Sequence, residues 1–277
     1  TSMTISAKEV QELRKMSGAG MMECKAALTD SSGDITKAFK ILREKGIAKA
    51  EKKSSRDANE GLIGVKVSSG KASIVEINSE TDFVSRNSEF HLLVNSILDL
   101  SLADIKTTLD DNQEVKDLIN NAVGKIGENI VLRRSATLSG NIYSYVHNSV
   151  SDGLGKIGVL IDVETTNNDF AQIGKNLCMH IAALSPKSVS EKDLDNEIIN
   201  AEKEIIKQQL KDTNKPDNIL EKMMDGKLKK FYEENTLLGQ KFVIDPSISV
   251  AEYIDKVSND YKCDISINKF VRYEIGS

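Results

Sequence analysis

Residues 74–87 read Ile74-Val75-Glu76-Ile77-Asn78-Ser79-Glu80-Thr81-Asp82-Phe83-Val84-Ser85-Arg86-Asn87. The apolar run at 74–77 reads as a strand. Beyond residue 87, Phe90, Leu93, Val94, Ile97 and Leu98 recur at helical spacing and mark one face of a helix. Strand and helix periods therefore meet across a polar turn, and the turn carries one aromatic ring, Phe83, that belongs to neither pattern. A buried Phe contributes about 1.5–3 kcal/mol. A Phe at a loop tip forgoes that gain until a partner covers it. Two readings stay open on local pattern alone. Either Phe83 tucks under its own loop, or Phe83 and Asp82 together present a wedge and a charge.

Working outward, a chain of 277 residues suggests about two domains. Hydrophobic residues make up 39%, charged residues 29% and aromatics 5%, with no Trp, a composition that favours helices with solvated faces. The net charge of −5 argues against a nucleic-acid binder, which normally shows a basic face. No apolar run approaches the roughly 18 residues a membrane helix needs. The start lacks a basic-then-apolar signal pattern, and Thr1-Ser2 ahead of Met3 reads as an addition to the natural start. No Arg/Ser-rich presequence is present either. Cys24, Cys178 and Cys263 are odd in number and far apart, which fits a reducing compartment and predicts a cytoplasmic protein.

Towards the amino terminus, Ser6 and Glu9 fit a capping box ahead of Val10 and Leu13. Ser17-Gly18-Ala19-Gly20 breaks that helix, residues 21–29 form a second, and Asp34 caps a third. The third carries Ile35, Ala38, Phe39 and Leu42 and is expected to stop at Gly46. Residues 1–48 are thus a three-helix bundle. Met21 and Met22 either fill its core or form an adaptable docking surface. Residues 49–57 read as a charged linker, with Lys49, Lys52, Lys53 and Arg56 either solvated or touching RNA.

From Gly61 the period becomes two, and residues 62–67 and 71–78 flank a hairpin turn at Ser68-Ser69-Gly70. Helices near 90–100 and 114–124 follow, then a turn at 125–129 and a strand at 130–132. A similar order recurs, with strands at 142–147 and 157–163 and a turn at Thr166-Asn167-Asn168-Asp169. A helix then carries Ile173, Leu177, Ile181 and Leu184. Residues 242–244, a helix near 250–257 and a strand at 265–274 complete the set. This predicts two related units, 58–140 and 141–189 with 236–277. Between the parts of the second lies 190–235, charge-rich, with Leu194, Ile198, Ile205 and Leu210 at helical spacing. Pro216 breaks it, and Ile219, Leu220, Met223 and Phe231 line the return. This predicts a projecting antiparallel helical hairpin with a narrow apolar stripe. Self-association through it, giving a homodimer, and a contact with another protein are both open.

Gly153-Leu154-Gly155-Lys156-Ile157-Gly158 matches G-x-G-x-x-G but leads into a strand rather than opening a helix, so it reads as a hairpin turn and not a dinucleotide site. His91, His147 and His180 have no metal-ligand spacing. His180 reads as a packed or edge residue, and His147 as a turn hydrogen-bonding residue. No Ser-His-Asp or Cys-His arrangement can be assembled, so no enzyme, metal site or cofactor is expected.

The stretch from Leu13 to Leu28, Leu-Arg-Lys-Met-Ser-Gly-Ala-Gly-Met-Met-Glu-Cys-Lys-Ala-Ala-Leu, closely resembles the amino-terminal signature of the bacterial elongation factor Ts family. Thr81-Asp82-Phe83-Val84 with Arg86-Asn87 resembles its second signature. Lys125-Ile126-Gly127-Glu128-Asn129-Ile130 with Arg133-Arg134, and Tyr145-Val146-His147, resemble two more. The likeness runs in order from about residue 5 to 275. It implies an α+β fold: an N-terminal three-helix UBA-like (ubiquitin-associated-like) bundle, a two-part core of antiparallel sheets with packed helices, and an inserted antiparallel helical hairpin of coiled-coil type. Longer members continue past the last strand, whereas this sequence ends at Gly276-Ser277, so contacts made by that segment are expected to be absent or made otherwise.

The resemblance further implies a guanine-nucleotide exchange factor for elongation factor Tu, in its GDP-bound and nucleotide-free forms. Thr81, Asp82, Phe83 and Val84 match the loop that displaces the partner's Mg2+. Met21, Met22, Lys25, Ile126, Gly127 and His147 match further partner contacts. A non-enzymatic scaffold or adaptor using the UBA-like bundle is the alternative. A nucleic-acid protein using residues 49–56 is a third reading, disfavoured by the net charge.

Overall fold

The computed structural model describes residues 4–103, 105–167 and 169–277. The expectations at residues 1–3 and at Asn168 lie outside them. The chain opens with α1 (Ala7–Ser17), α2 (Met21–Asp30) and α3 (Ile35–Lys53). The Ser6 hydroxyl accepts from the Glu9 N–H at 3.2 Å, and the Asp34 carboxylate from the Thr36 and Lys37 N–H groups, so the helix starts lie where their capping residues place them. Leu13, Cys24, Ala27, Leu28, Ala38 and Leu42 form the small core of this bundle.

α3 does not stop at Gly46, as expected, but runs on to Lys53. Gly46 faces Asn120 and Asn121, and a Cβ there would lie 3.7 Å from both side chains. The glycine lies within the helix at ordinary packing distance from these two residues and is not a break. Ala50 then packs against the adjoining core. Basic residues in the last turn suit the negative end of the helix. Three of the four cations of the expected tether are engaged: Lys49 pairs with Glu23 at 2.7 Å, Lys53 donates to the Gly127 carbonyl at 3.1 Å, and Arg56 pairs with Glu80 at 3.5 Å.

β1 (Glu60–Ser68) and β2 (Lys71–Ser79) form an antiparallel hairpin with Ser68 opposite Lys71. Its two linking residues, Ser69 and Gly70, both have positive φ, the backbone sense that matches strand twist. A 3-10 turn, Asp82–Arg86, leads to α4 (Ser88–Leu102), then α5 (Gln113–Ile126) and β3 (Val131–Ser139), which pairs with β2. The second set is β4 (Ile142–His147), a two-residue β5 (Leu154–Gly155), β6 (Ile157–Thr165), α6 (Ala171–Leu184), α7 (Asn196–Leu210), α8 (Asp217–Asn235), α9 (Val250–Tyr261) and β7 (Ile265–Glu274). The sheets run β3-β2-β1-β5 and β4-β6-β7. The fold is α+β, with antiparallel sheets and helices packed on them.

With α7 and α8 set aside, each unit is an antiparallel strand pair, two helices and a third strand laid on the pair's second strand. Even the irregularity repeats, since the register shifts at Glu76/Ile77 in β2 and at Asp162/Val163 in β6, six residues into each strand. β2 is buried on both faces, which is why its apolar run does not alternate strictly. Val75 and Ile77 pack with α4, while Ala72 and Ile74 meet Leu160 of the other sheet. Glu76 is fully buried among these residues. Its carboxylate accepts from Arg134 Nε at 2.7 Å, Asn78 Nδ2 at 2.9 Å and the Gly276 N–H at 3.2 Å.

α7 and α8 form the expected helical hairpin, with a partly different seam. Leu194 and Leu210 are buried as expected, but at the middle of α7 Ile206 is buried and Ile205 exposed, so the inward position there lies one residue on from the expected one. Ile219, expected on the return stripe, is exposed as well. The hairpin's neck is closed by a parallel bridge between Ser188 and Thr236, with the Lys187 N–H donating to the Asn235 carbonyl at 2.7 Å and the Leu237 N–H to the Ser188 carbonyl at 2.8 Å.

Candidate partner-binding site

Phe83 stands 91% exposed at the first turn after β2. The alternative in which it tucks beneath its own loop is excluded. The loop around it is fixed from several sides. The Thr81 N–H and hydroxyl donate to the two carboxylate oxygens of Glu128 at 2.9 and 2.6 Å. The Ser79 hydroxyl donates to the Thr81 carbonyl at 3.0 Å, and the Ser85 hydroxyl to the Asp82 carbonyl at 2.6 Å. His91 Nε2 bonds the Ser85 carbonyl at 2.7 Å, and the Asn87 side chain caps α4. Val84 is only 5% exposed and packs in the core with Leu62, Phe90 and Val94.

Val84, expected with Thr81, Asp82 and Phe83 in the partner-binding set, is the buried member of the four. It anchors the loop from below. In a 3-10 turn of three residues per turn, Val84 and Ser85 can face the core while Phe83 faces solvent. Asp82 lies beside the ring with its side chain 66% exposed, and Lys156 Nζ pairs with its carboxylate. That hydrogen bond and the lysine's charge hold the Asp82 carboxyl below the usual carboxylate range.

Gly127 and His147 are tied to this loop through their neighbours, and the methionines lie further off. Gly127 ends α5 with φ of 83°, a left-handed cap that a side chain would strain. The residue after it, Glu128, is the clamp on Thr81. Ile126 is half-buried and packs on the core beneath. His147 ends β4, exposed, with Nδ1 3.0 Å from the Tyr145 hydroxyl. Its carbonyl accepts the Lys156 N–H at 3.0 Å, one residue's reach from Asp82. Met21 and Met22 do not fill the bundle core. Both are exposed, Met22 to 74%, and they line a cleft of about 370 Å3 with Lys49, Gly124 and Lys125. Lys25 is exposed on the same helix. The end of α5 thus joins the methionine cleft to the Phe83 loop.

The profile of the family described as Elongation factor TS matches residues 80–277. The chain belongs to the elongation factor Ts family. Elongation factor Ts of Paracoccus denitrificans is 47% identical over 90% of this chain and 87% of its own length. That of Brucella anthropi is 45% identical over 99% and 93%, and that of Mesorhizobium japonicum 43% over 99% and 94%. The protein is accordingly a translation elongation factor. Among the described residues, no helix is long and apolar enough to cross a membrane.

Sequence reasoning about this elongation factor Ts family member missed three groups that hold the loop: Glu128, His91 and Lys156. Glu128 lies 47 positions from Thr81, and Lys156 74 from Asp82. Neither pairing follows any local period. A signal for Lys156 is present in the glycine string around it, which on local pattern reads only as a turn.

Proposed function

We propose that this protein accelerates GDP release from elongation factor Tu, acting by binding and with no covalent chemistry. Residues 81–83 enter the GTPase near its Mg2+ site. The observation that carries this reading is an apolar ring left almost fully exposed on a loop that its own fold otherwise immobilises. Met21, Met22, Lys25, Gly127 and His147 provide the surrounding contact surface, with Ile126 supporting it. We further read residues 1–48 as a UBA-like module, 58–140 and 141–189 with 236–277 as the two core parts, 190–235 as an inserted hairpin, and the cytoplasm as the site of action.

The mechanism is competition between two ligands of one GTPase. Factor and GDP each weaken the other's binding, and the coupling is reciprocal. A 100-fold drop in GDP affinity requires about 2.7 kcal/mol. Burying one Phe contributes about 1.5–3 kcal/mol, so the ring is adequate in size before any loss of the metal's charge beside the phosphates is counted. GTP then rebinds and expels the factor.

The test is stopped-flow release of a fluorescent GDP analogue from elongation factor Tu, with wild type, Asp82→Ala and Phe83→Ala. Wild type speeds release and both variants lose most of the effect. Acceleration that survives both substitutions removes the wedge. Tight binding without acceleration favours the adaptor reading, for which the exposed methionines of α2 speak.

A further inference from the structure

The string Gly153-x-Gly155-x-x-Gly158 does not hold a phosphate. It runs where the two sheets press together. A Cβ at Gly153 would lie 2.6 Å from the Val65 carbonyl oxygen, one at Gly155 2.5 Å from Val146 Cγ1 and 2.7 Å from the His147 carbonyl oxygen, and one at Gly158 2.6 Å from Ile63 Cγ2. Heavy side chains at these points would force the strands apart. The glycines bring one side chain, that of Lys156, across the seam.

Lys156 is fixed at every polar atom it has. Its N–H donates to the His147 carbonyl, and its carbonyl accepts the Ile275 N–H, both at 3.0 Å. Its ammonium donates to the Gly61 carbonyl at 3.0 Å and pairs with Asp82. One residue thus joins β1, the Phe83 loop, the end of β4 at His147 and the chain after β7. We propose that Lys156 is a positioning residue for nucleotide exchange, fixing the Asp82 carboxylate and tying the loop to the second sheet. This rests on the reading of residues 81–83 as the exchange loop. An exposed ion pair adds little to stability. The place of Lys156 matters because it sets where the carboxylate and its neighbouring ring stand before the partner arrives.

The experiment is a double-mutant cycle on the same GDP-release assay, with kcat and KM measured for Lys156→Met, Asp82→Asn, the double variant, Lys156→Arg and Phe83→Ala. Lys156→Met lowers kcat/KM about three- to fivefold, chiefly through kcat, and its melting temperature stays within about 3 °C of wild type. The double variant is no slower than Asp82→Asn alone, and Lys156→Arg, which keeps a cation, recovers part of the loss. By carbon-13 NMR, the Asp82 carboxyl titrates at higher pH in Lys156→Met than in wild type. If Lys156→Met does not fold, Lys156→Arg with and without Asp82→Asn completes the cycle.

Exchange by Lys156→Met equal to wild type, or losses that multiply in the double variant, overturns the inference. Phe83→Ala separates the two levels. If it exchanges normally, the exchange-loop reading falls. If it loses activity while Lys156→Met does not, only the role of Lys156 falls.

Discussion

Phe83 and Val84 are adjacent in sequence and opposite in environment, and truncating each to alanine should produce opposite phenotypes. Phe83→Ala removes a ring that touches water, so the free protein loses almost nothing. Surface substitutions of this kind stay within about 0.5 kcal/mol, which moves the melting temperature of a chain this size by about 2 °C at most. On the proposed reading the same ring is covered in the complex with elongation factor Tu, and losing about 1.5–3 kcal/mol of burial should slow GDP release about 10- to 150-fold at subsaturating factor. Val84→Ala instead empties a site that is 5% exposed beneath the loop. It should cost about 1–3 kcal/mol of stability, while exchange at a temperature where the variant remains folded falls less than with Phe83→Ala. Urea unfolding gives the first quantity and stopped-flow release the second. A Phe83→Ala protein that melts well below wild type, or one that exchanges at the wild-type rate, would refute the reasoning, since either result means the ring's energy is spent inside its own subunit.

Three further outcomes are expected. His180 is buried, with Nδ1 accepting the Val243 N–H at 3.1 Å and Nε2 2.9 Å from Gln240 Oε1, and burial pushes its pKa below the ordinary imidazole value. The native state then binds fewer protons than the unfolded chain, so His180 contributes stability that is full above about pH 6.5 and declines as pH falls below it. Urea midpoints between about pH 5 and 8 should show this slope in wild type and a flatter one in His180→Gln. Glu76→Ala leaves the Gly276 N–H and the Arg134 Nε without their buried acceptor and should cost about 1–3 kcal/mol, read as a fall in urea midpoint. Gly226 sits inside α8, and a Cβ added there would meet nothing within 4 Å, so Gly226→Ala should stabilise the hairpin by about 1 kcal/mol, seen as slower local hydrogen exchange in α7 and α8.

The elements were largely legible because their signals are local. The period-two run at β1 and β2, the Asp34 and Asn87 caps and the apolar face of α4 lie within a few residues of the structure they specify. The repeat of two units was legible as element order, and the matching register shifts became visible only with the pairing in hand. Gly46 misled because glycine often ends a helix yet is also tolerated inside one, and only the packing of α3 beside Asn120 and Asn121 distinguishes the two. Leu194 and Leu210 follow the expected stripe, whereas Ile205 and Ile206 are equally apolar neighbours and only the packed structure chooses between them. Within the candidate site, the exposed ring was singled out by its failure to fit either flanking pattern. Val84 looked equivalent to Phe83 in the motif, and its burial depends on α4 folding back over the loop. Glu128 and Lys156 come from distant segments, and no short window contains both members of either pair.

The neck of the hairpin has a consequence for how the molecule tolerates change. Where Ser188 and Thr236 lie side by side, the strands entering and leaving the inserted arm are already joined by backbone hydrogen bonds. The core therefore closes on itself whatever hangs beyond that point, and lengthening the loop adds only a slowly growing entropic cost. Such a port should let the arm be shortened, extended or exchanged for a foreign segment while the Phe83 loop is left as it was, which makes it the natural place to attach a fluorophore or tether for single-molecule work.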